Sequence, residues 1–145
     1  MHWLAVSVVV LAAGATQAAA QAKEDSVAIR TAAEDYVMGW YDGDAARIER
    51  SVHPELAKRS VSSPPNGRSR LSEMSAMALV QATRRRASSP QPADRRLLEI
   101  TILDIQSTGI ASAKAVSWDF VDLIHLAKSD GRWVIVNDLW AGRPQ

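Results

Sequence analysis

Few residues in this chain combine the type and the spacing that chemistry needs. His53 stands directly before Pro54 at the end of a short helical pattern. An imidazole there could act as a base at the mouth of a pocket. The plainer alternative is a helix-end histidine bonded to the last carbonyls. Asp122 and His125 lie three positions apart in an alternating apolar run, so on a strand they point to opposite faces and form no dyad without a bulge. Asp122 shares its face with Trp118, Phe120, Ile124 and Leu126. A carboxyl among aromatic rings is held protonated to higher pH, as a proton carrier requires; the competing reading is a charge on the surface or at a dimer face. Tyr36 and Trp40 fall at i and i+4 and can form one wall of a cavity. Trp133 and Asn137 are candidates for the facing wall, with Asn137 a buried amide that a ligand would satisfy, and Trp118 and Trp140 either line the cavity too or fill a dimer interface. Aromatic residues at such spacings also serve as ordinary core.

Several chemistries are excluded. The chain has no cysteine, hence no disulfide, thiol nucleophile or thiolate metal site. No pair of the three histidines has metal-ligand spacing, and no Gly-rich phosphate loop or nucleophile elbow is present. The expectation is a protein with neither metal nor cofactor.

These residues depend on the elements that carry them. A helix capped by Asp25 or Ser26 is expected to run to about Tyr41, with Val27, Ala28, Thr31, Tyr36, Val37 and Trp40 inward. Asp44 caps a second helix reaching about Val52, which His53-Pro54 ends. A short strand over Leu56 to Val61, the loop Ser62 to Gly67, and a third helix capped by Ser72 follow. Strands are expected at Leu97 to Gln106, Ile110 to Trp118, Phe120 to Ala127 and Trp133 to Trp140. Asp130-Gly131 between the last two is a two-residue hairpin turn. On the last strand, alternation puts Trp133, Ile135, Asn137 and Leu139 on one face, and Val134, Val136, Asp138 and Trp140 on the other. Helices followed by antiparallel strands make an α+β fold, its curved sheet wrapped around helices to leave a pocket.

Trp3 to Ala13 is an apolar run of signal-peptide core length, too short to span a bilayer, followed by small residues that suit cleavage after Ala20 or Ala22. The expectation is a leader over residues 1–22, one domain over 23–145, and a periplasmic or secreted product that does not stay in a membrane. Between Lys58 and Arg96 nine basic residues face two acids. That segment could meet an acidic partner, but no aromatic residue lies between Tyr41 and Trp118, so the stacking platform of a nucleic-acid binder is missing.

The run AAEDYVMGWYDGDAARIERSVHPEL (32–56) and the ending WDFVDLIHLAKSDGRWVIVNDLW (118–140) resemble the nuclear transport factor 2-like superfamily, and within it the "putative lumazine-binding" group of small bacterial proteins. The resemblance implies a cone-shaped α+β fold. The superfamily spans isomerases, dehydratases, polyketide cyclases and binding or dimerisation modules, so the fold does not choose among them. Its familiar isomerases use an acid base with acidic and phenolic partners; Tyr36 with Asp122 is the nearest match here, and no full set is recognisable. The leading expectation is a small-molecule-binding homodimer paired through the sheet face. The alternative is an acid/base isomerase, dehydratase or cyclase using His53 or Asp122.

Overall fold

The computed structural model describes residues 4–144. The order is α1 (Leu4–Asp42), α2 (Ala45–Ser51), β1 (Val52–Ser62), β2 (Arg70–Met74), α3 (Ala76–Arg86), β3 (Leu97–Gln106), β4 (Ile110–Ser117), β5 (Phe120–Ser129) and β6 (Arg132–Gly142). The strands form one curved, unclosed sheet in the order β2-β1-β6-β5-β4-β3. Neighbours are antiparallel except β1 and β6, which run parallel, so the sheet is mixed rather than purely antiparallel.

The inward stripe of α1 is Ile29, Ala32, Ala33, Tyr36, Val37 and Tyr41, an i, i+3, i+4, i+7, i+8, i+12 pattern that lays one face on β3, β4 and β6. It is rotated from the expected stripe: Val27 and Thr31 face out. The helix also does not begin at Asp25 or Ser26. It runs through them, and the Asp25 carboxylate instead accepts from Trp133 Nε1 at 2.9 Å and Lys128 Nζ at 2.8 Å. Asp44 caps α2 as expected, accepting from the Ala46 and Arg47 amides. The cap of α3 is Ser75, not Ser72. Ser72 belongs to β2, which the sequence reading missed, and pairs with Ser60.

Two backbone devices shape the sheet. Asp130 and Gly131 both have positive φ, 50° and 77°, and close the β5-β6 hairpin as a two-residue turn. Halfway along β6, His125 pairs with Asn137 while Leu126 pairs with Ile135, so Val136 is an extra residue and the strand bulges. The bulge breaks the expected alternation. Trp133 and Ile135 face the core before it, Asp138 and Trp140 after it, and Asn137 and Leu139 are turned outward.

The end of α1 is fastened by a close approach at Gly43. Its φ is +70°, and a Cβ there would lie 2.5 Å from the Ala87 backbone. Strain and overlap act together, so Gly43→Ala should lower stability by about 2 kcal/mol or more. Urea unfolding followed by tryptophan fluorescence measures this, and an unchanged midpoint would contradict the packing described.

Candidate functional site

Between α1 and the sheet lies a pocket of about 80 Å³, room for several waters or one end of a small molecule. Its walls are Val37, Trp40, Met74, Leu79, Phe120 and Trp140, and its polar surface is Tyr36, Lys58 and Asp122. Met74 ends β2 and Leu79 lies on α3, so the elements around Ser75 close the side of the cavity.

A charged cluster forms the floor. On β1, Leu56 and Lys58 turn inward while Arg59 turns out. Lys58 stands opposite Asp138 in the parallel β1-β6 register, and Asp122 lies one strand further on, on β5. Tyr36 descends from α1. The Lys58 ammonium donates to Asp138 Oδ2 and, at 2.5 Å, to the Tyr36 oxygen; it lies 3.7 Å from Asp122 Oδ1. The Tyr36 hydroxyl donates to Asp138 Oδ2 at 2.6 Å. Lys58 Nζ also sits over the Tyr36 and Trp140 rings, 5.2 and 5.1 Å from their centroids. Asp122 is 1 % exposed and Asp138 2 %.

Two carboxyls thus share one ammonium in a site nearly closed to water. Burial raises the Asp122 pKa well above 3.8, and the Asp138 charge raises it further, against the lowering effect of Lys58. The result is a carboxyl that holds its proton more tightly than an exposed aspartate does, beside a Lys58–Asp138 ion pair. The same burial, with the two aspartates, pushes the Tyr36 phenol well above 10.0. Among the described residues, Asp122 Oδ2 and Asp138 Oδ1 are buried acceptors that receive no donor from the side chains or backbone. A proton held by the pair accounts for both.

Tyr36, Trp40 and Asp122 therefore meet at one pocket. The surface-charge reading of Asp122 is overturned. The other candidates lie elsewhere. His53 is on β1 outside the pocket, where its Nδ1 accepts from the Glu55 amide at 3.1 Å. Trp133 is buried against the earlier part of α1 and anchored to Asp25. Trp118 is 38 % exposed on the β4-β5 connection, under the Arg95 guanidinium. Asn137 faces the outer side of the sheet near His125, because the bulge reversed its face.

The residues missed are Lys58 and Asp138. Lys58 was counted with the basic surface segment, although its i, i+2 relation to Leu56 marks it as inward. Asp138 could not be placed without the bulge. The tyrosine and two aspartates that the sequence did not display as a set are Tyr36, Asp122 and Asp138. A lysine stands among them, and the phenol's proton is already given to Asp138. The rest of the basic segment is largely engaged locally: Arg59 with Glu73, Arg84 with Glu49, Arg96 with Asp42, and Arg86 over the Trp40 ring at 4.5 Å.

Helices held against a curved six-stranded sheet, with a pocket between them, define a nuclear transport factor 2-like protein. The chain belongs to the family described as putative lumazine-binding, which it matches over residues 24–141. Solved structures with the same fold include a protein of unknown function from Silicibacter pomeroyi, 20% identical, with a TM-score of 0.65 over 84% of this chain and 98% of that one. Another, from Shewanella baltica, is 16% identical, with a TM-score of 0.64 over 84% and 96%. A third, with a cystatin-like fold, comes from Novosphingobium aromaticivorans: 16% identical, TM-score 0.63, over 88% and 87%. A search of curated proteins finds no match.

The raised pKa of Asp122 has a consequence for stability. A group protonated more readily in the folded than in the unfolded chain stabilises fully below the unfolded value, here 3.8, and that contribution fades as pH rises through the folded value. Within that window the loss approaches about 1.4 kcal/mol per pH unit. Asp122→Asn should remove this slope, leaving the variant comparatively more stable than the wild type at alkaline pH. Urea unfolding from pH 4 to pH 9 reads the difference; parallel curves would show that Asp122 does not titrate in this way.

Proposed function

We propose that this protein is an exported, homodimeric binder of a small, mainly apolar molecule, held between Trp40, Phe120 and Trp140 and oriented by Asp122. The observation that carries the reading is an apolar cavity whose polar surface is confined to one end. Such a distribution suits a ligand with one apolar body and one polar group. The family description points to a small-molecule ligand as well.

Export is supported by the early part of α1. Residues 14–24 are all exposed, and the carboxylate of Asp25, just after them, is tied to Trp133 and Lys128 of the sheet. Among the described residues no helix is long and apolar enough to cross a membrane. Pairing through the sheet is supported by Leu123 and Leu139, which stand opposite each other on the outer face, each nearly half exposed.

One observation favours a second reading, acid/base turnover: Asp122, buried and with its pKa raised by that burial, faces the cavity, where it could move a proton on a bound substrate. His53 is not among the residues lining the pocket, so this reading rests on Asp122.

Native mass spectrometry of protein recovered from the periplasm tests the main reading in one spectrum. The expected ion is a dimer of chains cleaved after Ala20 or Ala22, carrying a small adduct. Met74→Trp, which fills the cavity from its side, should lose the adduct while remaining a folded dimer. An adduct retained by that variant would place the ligand elsewhere. A monomer, or a chain with its first residues intact, would overturn the corresponding part of the reading.

A further inference from the structure

The charge count of the floor defines what the pocket can accept. Asp122 on β5 is faced by Lys58 from β1, Tyr36 from α1 and Asp138 from β6. The side chains reaching the pocket from β2 and α3, Met74 and Leu79, are uncharged, and the residue opposite Asp122 on β4 is Ala115. The buried cluster therefore holds two carboxyls and one ammonium. Its donors are also directed within the cluster: Lys58 to Tyr36, to Asp138 and, at 3.7 Å, toward Asp122 Oδ1, and the Tyr36 hydroxyl to Asp138. The acceptor at the pocket that no donor of the described residues reaches is Asp122 Oδ2, on a side chain that is 1 % exposed, where only the proton held by the two carboxyls meets it.

We propose that the pocket selects a protonated amine on an apolar, ring-sized body, with the ligand's ammonium taking the place of the missing positive charge beside Asp122. This rests on the reading of the cavity as the ligand site and names the ligand's chemical class. In the free protein a proton on Asp122 fills the deficit. An entering ammonium displaces it, so binding an amine releases a proton, and the affinity falls as pH is lowered. An anion meets two carboxyls and a lysine already paired, and is rejected. An uncharged analogue keeps the apolar contacts alone.

Benzylamine, benzyl alcohol and benzoate share one ring and differ in charge, so they separate these cases by calorimetric titration of the intact protein. Benzylamine should bind at least tenfold more tightly than benzyl alcohol, and benzoate more weakly than either. The benzylamine affinity should drop between pH 7.5 and 5.5. Titrations in two buffers of different ionisation heat should show a proton released with benzylamine and none with benzyl alcohol. In Asp122→Asn, whose fold is checked by circular dichroism, benzylamine and benzyl alcohol should converge to within about threefold. Equal or tighter binding of benzoate, or an amine preference that survives in Asp122→Asn, overturns the inference and leaves the cavity as a ligand site. Binding of all three that persists unchanged in Met74→Trp, or no binding of any, removes the cavity reading and this inference with it.

Discussion

A lysine sealed under a helix must find negative charge, and much of the architecture follows from where Lys58 finds it. An ammonium removed from water costs several kcal/mol unless it is paired and hydrogen-bonded. Asp138 supplies the pair, which ties the register of β1 to that of β6 across the sheet's parallel junction. Tyr36 supplies a further acceptor, which ties α1 to both strands. Removing any one member leaves a buried group without its partner, the costly situation for a polar core. The cluster thus specifies how helix and sheet meet more than it adds to net stability.

The rest of the pocket is the space that this meeting leaves. The curved sheet carries α1 on its inner face, and Phe120 links the cavity to the end of α1 by stacking on Tyr41, with ring centroids 5.4 Å apart. Tyr41 in turn donates to Asp119, and its phenol is pushed upward by burial and by that carboxylate. The carbonyls ending α1 are satisfied from the end of α3 and the segment after it, by the Arg86 side chain on Trp40 and the Gln91 amide on Tyr41. The aromatic side of the cavity is therefore held at both ends by hydrogen bonds, and its shape is built in before any ligand arrives.

The elements were legible in the sequence where local signals decide them. Asp44 before an amphipathic turn, Asp130-Gly131 between apolar runs, and the alternation of β5 all express short-range physics, and each appears as expected. What the sequence concealed depends on contacts distant along the chain. Nothing local to Arg70–Met74 marks it as a strand; it is one because β1 offers an edge. Asp25 carries the features of a cap, but its carboxylate is taken by Trp133 and Lys128, more than a hundred residues away. The site divides in the same way. Tyr36, Trp40 and Asp122 are on regular elements whose period reveals the inward face, whereas Asp138 and Asn137 lie past an irregularity that no composition announces.

That irregularity bears on how relatives should be aligned. Because Val136 adds a residue to one strand without adding one to its neighbour, the columns after it describe the opposite side of the sheet from those before it. A homologue one residue shorter at this point could match Asp138 by residue type and still present that carboxylate to solvent. Conversely, a chain with a different residue in that column, but with its acid shifted by one, could preserve the buried charge. For alignments to this chain, gap placement at Val136 carries as much chemical meaning as the identity of the acid itself.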